Sequence, residues 1–434
     1  MYFTLWKSLA VAAVAIPIVD AHLIYAYPLY IFGNFAGAVL RNVSVNQIFH
    51  QCTLAAIGSS AVINPNVDTV YSRAVLGLST HDVILSIPEV TDRYWVYPVY
   101  DSFGNTIATI GIVNNNTAGD YLIRRADDVG GKPGFYNDSS IVQSGIDSLQ
   151  ETTRYAGVVN LPTTYGTILI RYLVLQNTTS DLNIIRKYQN ASSLTEVPRA
   201  ASYAPSPPNN ASLSSLAPNS SLLGIDTPAK LLDFASRFVL YNQPEVVSER
   251  QRVAGKATSG NFLLKPIKAT LERTTPIAGY QQLPAQQVLY PGYRSTGFTS
   301  QFSLAPNQSL LWTFSGKPPV QAQDFGFWSV TVYGDDQYLI PNPIGRSSVS
   351  DRTWNLTYQG TNQTIYGPNA NSTTNGPFQI LLQPSDIPPP ANWTSNWLPV
   401  SRNFSFITRW YVPYPGLTNG SYVYSKIETI NAIR

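Results

Sequence analysis

The chain has 434 residues, of which 44% are hydrophobic and 12% are charged, and its formal net charge is +3. Charged residues make up about half the share of an average soluble protein, and no basic run is present, which argues against nucleic-acid binding, a coiled coil and disorder. The 27 Tyr and 32 Pro are typical of a β-rich, turn-rich protein. We expect a small-molecule ligand and no nucleic-acid partner, and a homo-oligomer stays open.

The N-terminus has the pattern of a secretory signal. Lys7 precedes an apolar run over residues 9–19, and Val19-Asp20-Ala21 forms a small-residue cleavage site before His22. This run is too short to span a membrane, and no later segment offers about 18 uninterrupted apolar residues. We therefore predict a signal peptide over residues 1–21 and a secreted mature protein without a membrane span.

Fourteen Asn-x-Ser/Thr sequons support export, since about five are expected by chance. We predict glycosylation sites at Asn42, Asn115, Asn137, Asn177, Asn190, Asn210, Asn219, Asn307, Asn355, Asn362, Asn371, Asn392, Asn403 and Asn419. Cys52 is the only cysteine, so an intrachain disulfide is excluded. We interpret Cys52 as a small buried hydrophobe on a helix over residues 45–56, with a reactive thiol as the alternative.

The next elements are mostly strands. A polar turn at residues 64–69 leads into an alternating strand that ends at Leu78, and β-branched and aromatic runs predict strands over 83–87, 94–100 and 106–113. Gly104-Asn105 predicts a hairpin turn. Residues 167–176 are apolar on both faces, which predicts a central strand in which Arg171 needs an acidic or carbonyl partner. A short helix is predicted over 181–188.

The middle of the chain separates two such regions. Residues 198–226 are rich in Pro, Ser and Asn and predict a linker, and Thr227-Pro228 opens a helical connector over 227–285. Strands follow over 310–314, 326–333, 337–340, 378–382 and 405–412, with a loop over 358–377. The predicted fold class is mainly β, with two β-sandwich or jelly-roll-like domains, 22–197 and 286–434, joined by the helical segment.

Few residues are suited to acid–base or metal chemistry. His22, His50 and His81 are the only histidines, and hydrolase, zinc-protease, Walker and dinucleotide-binding motifs do not occur. We expect no cofactor and no metal. One alternative is a copper oxidase, because cleavage after Ala21 would leave His22 as an N-terminal amine and imidazole ligand.

Three polar clusters are the candidate site. The first contains Asn66, Asp68, Tyr71 and Arg73; the second contains Tyr97, Tyr100, Asp101 and Asn105; the third contains Asn342, Arg346, Asp351 and Arg352. Either they are buried ion-pair and turn networks, or they form the polar rim of an aromatic cavity. In the second case we predict catalytic roles for Asp68, Arg73, Asp101 and Arg346. Substrate binding is predicted for Asn66, Tyr71, Tyr97, Tyr100, Asn342 and Trp397.

Several short blocks resemble a known domain pair. Residues 64–78, 94–101 and 161–171 resemble the domain of unknown function 1254, and residues 326–333, 342–352, 396–399 and 406–413 resemble its companion, 1214. The resemblance implies two β-rich domains. A weaker resemblance, of class and compartment only, is to secreted glycoproteins of fungal specialised metabolism that assist cycloadditions.

These features support two main hypotheses. The first is a lyase- or pericyclase-like enzyme without metal, which acts on a small, largely apolar metabolite by positioning and hydrogen bonding, as in dehydration or cycloaddition. The second is a non-catalytic protein that binds glycans or small molecules through its aromatic side chains. Whether the protein is catalytic at all is left open by the sequence.

Overall fold

The computed structural model describes residues 27–59, 64–126, 131–137, 155–198, 281, 283–293, 299–417, 419 and 421–434. Within these residues the protein is mainly β, as predicted, with strands grouped into four sheets. Two α-helices accompany them, α1 (Tyr27–Leu40) and α2 (Thr179–Ala191). The Thr178 side chain caps α2 by accepting a hydrogen bond from the Asp181 amide, and the helix predicted over 181–188 is confirmed.

The N-terminal half forms a sandwich of two five-stranded sheets. Its strands are β1 (Ile48–His50), β2 (Thr69–Gly77), β3 (His81–Ile87), β4 (Trp95–Asp101), β5 (Thr106–Gly111), β6 (Gly119–Arg125), β7 (Gly134–Tyr136), β8 (Gly157–Leu161), β9 (Tyr165–Leu173) and β10 (Ser193–Pro198). Sheet A has the order β1-β2-β9-β4-β5, and sheet B has the order β10-β3-β6-β8-β7. Alternate residues of both sheets, such as Val70, Leu85 and Ile170, fill the core between them.

The C-terminal half forms a second sandwich. Its strands are β11 (Val288–Leu289), β12 (Thr299–Ser303), β13 (Gln308–Phe314), β14 (Trp328–Gly334), β15 (Ser348–Ser350), β16 (Phe378–Pro384), β17 (Trp397–Val400), β18 (Asn403–Tyr411) and β19 (Lys426–Asn431). Sheet C has the order β11-β18-β14-β15, with β12 also paired to β18, and sheet D has the order β17-β16-β13-β19. Phe314 and Phe378 stack in its core with ring centroids 4.6 Å apart.

The two sandwiches pack through sheets A and C. Tyr94, Val96 and Leu173 of the N-terminal half form one apolar cluster with Phe327 and Tyr411 of the C-terminal half. The order of layers is therefore B, A, C, D. This packing buries the outer faces of A and C, which in an isolated sandwich would face water.

Two predicted elements are wrong. Residues 45–56 form no helix; instead β1 pairs antiparallel with β2, and Cys52 is exposed just beyond it. Residues 337–340 form no named strand; they follow the turn at 335–336 and pair with β14 only through an isolated bridge between Tyr333 and Leu339.

Three other predicted elements fall mostly in residues that the structure does not describe. The signal peptide, the 198–226 linker except its first residue, and the helical connector over 227–285 except residues 281 and 283–285 lie outside the described residues. In the part of the chain that the structure describes, no helix is long and apolar enough to cross a membrane.

Candidate functional site

The layer between sheets A and C is polar and aromatic because of strand alternation. On β14, Trp328, Val330 and Val332 point into the C-terminal core, so Ser329 and Thr331 point toward sheet A. Both are fully buried. Hydroxyls buried in this way need partners, and the partners come from both halves of the chain.

Sheet A contributes Tyr71, Tyr100 and Arg171. Tyr71 on β2 lies directly opposite Arg171 on β9, and Val96 of β4 flanks Arg171 on the other side. Tyr100 lies opposite Thr167 of β9, and on its other side the pairing of β4 with β5 shifts register between Val99 and Tyr100. The Arg171 guanidinium lies 5.6 Å from the centre of the Tyr71 ring, which is cation–π distance.

Sheet C contributes Arg409, Tyr333 and Tyr411. Arg409 on β18 donates to the Thr331 hydroxyl at 3.1 Å and to the Tyr333 hydroxyl at 2.9 Å. Tyr333 in turn donates to the Pro65 carbonyl at 2.9 Å. The Tyr411 hydroxyl accepts a 3.0 Å bond from the Asn66 amide. These bonds join the two sandwiches through the turn that precedes β2.

An ion-pair network also crosses the layer. Arg352 bridges Asp68 of the N-terminal half and Asp351, the latter at 2.6 Å. The second oxygen of Asp68 accepts a 2.6 Å bond from the Ser329 hydroxyl. The Arg352 guanidinium lies 4.8 Å from the centre of the Phe327 ring. Asp68 is 2% exposed, so this pairing is shielded from water.

Arg171 is a charged group of this layer that lacks the acidic or carbonyl partner that the sequence predicts. Its Nε and Nη1 atoms are buried without a hydrogen-bond partner, and the nearby Tyr100 hydroxyl also has no partner of good geometry. Among the described residues it forms no ion pair with a carboxylate. Leaving such donors unsatisfied costs about 1–3 kcal/mol per group, and more for charged groups. Groups of this kind occur in native proteins where a site serves a ligand or holds a bound water or ion.

The protonation states follow from burial. Burial raises the pKa of Tyr94, Tyr100 and Tyr290, and nearby Arg171 only partly opposes it, so these phenols stay neutral; Tyr94 already donates to Gln287 at 2.8 Å. For Arg171 burial lowers the pKa, but Tyr100 and Tyr71 outweigh it, so the pKa lies above its ordinary value and the side chain stays a cation. The layer therefore offers neutral O–H donors around a buried positive charge.

Asp351 should make stability depend on pH. Burial raises the pKa of its carboxyl to about 6 from the ordinary 3.8; Arg352 opposes the rise and Asp68 adds to it. The folded protein then holds a proton that the unfolded chain has released, so the contribution of Asp351 is largest below about pH 4 and is lost as the pH rises to about 6. We expect a loss of about 2 kcal/mol over this window, since a full two-unit difference would give ~3 kcal/mol and the side chain keeps 23% exposure.

This expectation is tested by urea unfolding of wild type and Asp351→Asn at pH values from about 3.5 to about 7, a range that covers the whole transition. The difference in unfolding free energy between wild type and Asp351→Asn should change between about pH 4 and about pH 6 and stay constant at higher pH. The exposed Asp335→Asn variant should track the wild type. A pH-independent difference for Asp351→Asn would show that this carboxyl titrates normally.

The structure brings together only part of the predicted site. Asn66, Asp68, Tyr71 and Tyr100 lie in the layer, where Asp351 and Arg352 of the third cluster join them. Arg73 also lies on β2 but donates to Gln51 at 3.3 Å. Asp101 accepts bonds from Phe103 and Asn105 and so fixes the turn between β4 and β5.

The remaining predicted residues lie elsewhere. Tyr97 points into the N-terminal core, where its hydroxyl bonds to Tyr172 and, at 2.7 Å, to Ser192. Arg346 donates to the carbonyls of Thr394, Ser395 and Trp397, and Asn342 closes the loop that carries it. Trp397 donates to the Gln383 carbonyl within the C-terminal sandwich.

Sequence reasoning missed Tyr290, Tyr333, Arg409 and Tyr411 as site residues. The signal for three of them was the alternation of β14 and β18, in which Ser, Thr, Tyr and Arg recur on one face. As for metals, no group of three or more His, Cys, Asp or Glu side chains comes together among the residues that the structure describes, and His22 lies outside them.

Comparisons with known proteins agree with this division of the chain. Residues 45–196 match the family model described as protein of unknown function DUF1254, and residues 301–415 match the one described as DUF1214. The chain thus carries both domains of the pair, and each supplies one side of the buried layer. No curated protein matches the chain.

Two solved structures are similar. The VPA0106 protein from Vibrio parahaemolyticus has a TM-score of 0.54 and 16% identity, over 96% of this chain and 99% of that one. A putative uncharacterized protein from Burkholderia cenocepacia has a TM-score of 0.45 and 11% identity, over 98% of this chain and 96% of that one. The first likeness shows the fold.

Proposed function

We propose that this chain, in which a DUF1254 domain is followed by a DUF1214 domain, is a secreted glycoprotein enzyme that acts on a small, largely apolar metabolite held between sheets A and C. The observation that carries the proposal is the pair of buried donors Arg171 and Tyr100, which lie together and, in the described part of the chain, have no hydrogen-bond partner outside the pair. They lie beside an aromatic wall in which Phe327 stacks on Tyr411 at 4.1 Å and Tyr94 meets both rings edge-on.

The reaction follows from what these groups can do. Neutral phenols and a fixed guanidinium donate hydrogen bonds to an oxygen on which negative charge develops, and rigid strands orient the reactants. Asp68 is fully engaged by Arg352 and Ser329, whereas Asp351 is the carboxyl suited to carry a proton near neutral pH. Dehydration or cycloaddition of a metabolite fits this set of groups.

Exposure of the sequons supports export. All twelve sequon asparagines among the described residues are exposed. Of the fourteen other described asparagines, only six are exposed. Folded glycoproteins need this contrast, because the attached sugar must remain in water. It supports the signal peptide over residues 1–21 and modification in the secretory pathway.

We expect the Tyr411→Phe variant to lose about tenfold in rate, because it removes one hydroxyl from the site and leaves the stacked ring in place. The measurement is turnover of candidate polyketide or terpenoid precursors by the secreted protein, followed by chromatography. Tyr414→Phe, on the surface, is the matched control. Rates and product ratios equal to those without protein, across the precursor set, would contradict the proposal.

A second candidate function is non-catalytic binding of glycans. Tyr424 stacks on Trp410 with centroids 5.1 Å apart and planes within 9°, and it keeps 44% exposure beside Val423 at 83%. Exposed aromatic faces of this kind suit sugar rings. Retention on a glycan array that Tyr424→Ala abolishes, without turnover of any precursor, would identify this function.

A further inference from the structure

The charges of the buried layer do not balance. Arg171, Arg352 and Arg409 contribute three guanidinium groups, while Asp68 and Asp351 contribute two carboxylates, both paired to Arg352. Among the described residues neither Arg171 nor Arg409 forms an ion pair with a carboxylate, although Asp68 lies close enough to Arg409 to raise its pKa. Among these five groups of the described layer, one positive charge therefore remains in excess.

Arg409 and Arg171 differ in how they are satisfied. Arg409 has two neutral hydroxyl partners, whereas the Nε and Nη1 atoms of Arg171 have no hydrogen-bond partner, and a guanidinium receives carboxylate oxygens through its N–H groups. Arg171 nevertheless keeps 6% of its surface accessible, so the side chain is not completely enclosed by protein atoms. The missing partner thus has negative charge and oxygen acceptors.

Resting on the proposed function, we infer that the ligand of this site is a monocarboxylate with an apolar body, bound through its two oxygens by Arg171 and Tyr100. One negative charge matches the single charge in excess, whereas a phosphate dianion would overcompensate it. The apolar body would lie against the wall formed by Tyr94, Phe327 and Tyr411. Planar bidentate pairing with a carboxylate is the geometry for which arginine is suited.

The test uses benzoate and 2-naphthoate as probes and their methyl esters as neutral counterparts, with binding followed by calorimetry and intrinsic fluorescence. We expect the acids to bind wild-type protein and the esters to bind about tenfold or more weakly. Arg171→Met should remove this preference, and Tyr100→Phe should weaken acid binding with a smaller change. The surface variant Arg402→Met should behave as wild type, because its partner Asp386 is exposed.

The Arg171→Met variant should fold. An unpartnered buried charge replaced by an apolar side chain leaves stability unchanged or raised, so thermal unfolding provides the check on folding. Equal binding of acids and esters would overturn the carboxylate inference; if Tyr411→Phe then weakened both, the site between the sheets would stand. If the wild-type protein bound neither the acids nor the esters, the carboxylate inference would be overturned. The proposed function would still be decided by the turnover of the precursors.

Discussion

Replacing Arg93 with Met is expected to lower the free energy of unfolding by about 3–5 kcal/mol. Arg93 is fully buried and pairs with Asp92 and Asp181, both at 2.8 Å. It also donates to the Leu173 carbonyl at the end of β9 at 3.1 Å. The single side chain therefore joins the start of β4, the end of β9 and the first turn of α2. Met fills similar space but leaves the Asp181 carboxylate, at 7% exposure, without its cation.

Urea unfolding followed by circular dichroism measures this loss. The control is Arg402→Met, whose pair with Asp386 at 2.9 Å has side chains 39% and 63% exposed. Exposed pairs contribute only about 0–1 kcal/mol. Equal effects for the two variants would mean that burial does not decide the strength of ion pairs in this protein. Arg171→Met completes the series, since a buried arginine without a carboxylate should show no such loss.

Much of the fold could be predicted because strand patterns are local. Residues 83–87, 106–113 and 378–382 are short, β-branched or apolar, and bounded by turn residues, and each coincides with most of a strand. The failure over 45–56 has a physical reason. Ile48 and Cys52 have helical spacing by coincidence, and a three-residue edge strand such as β1 is defined by its pairing with β2, which sequence periodicity does not reveal.

The candidate site was harder to predict because it forms between two sandwiches. Tyr97 and Tyr100 lie three residues apart on β4; Tyr97 faces the N-terminal core and Tyr100 faces sheet C. Alternation shows that adjacent residues face opposite ways, but the face that meets another sheet is set by tertiary packing. Arg171 was recognisable as a buried charge in an apolar run. The absence of its partner could be seen only after the opposing residues of β18 were in place.

Replacing Asp68 with Asn is expected to lower the free energy of unfolding by about 3 kcal/mol and to weaken the coupling between the two sandwiches. Asp68 is the one carboxylate in the observed layer that comes from the N-terminal half and pairs with the C-terminal half, through Arg352 and Ser329. Asn keeps the shape and a hydrogen bond to Ser329 but removes a negative charge. Three guanidinium groups would then face only Asp351, so the excess positive charge in the layer would double.

A double-mutant cycle separates this pairing from a general effect of the substitution. In an Arg352→Met background, Asp68→Asn should cost clearly less than in wild type, because the charge that it leaves unpaired has been removed. Asp335→Asn, exposed in the turn after β14, should change stability by less than about 0.5 kcal/mol. If the cost of Asp68→Asn is the same in both backgrounds, Arg352 is not the partner that matters, and the layer holds together through the Tyr333 and Tyr411 hydrogen bonds instead. A single cooperative transition in every variant would further show that the sandwiches unfold as one unit without this ion pair.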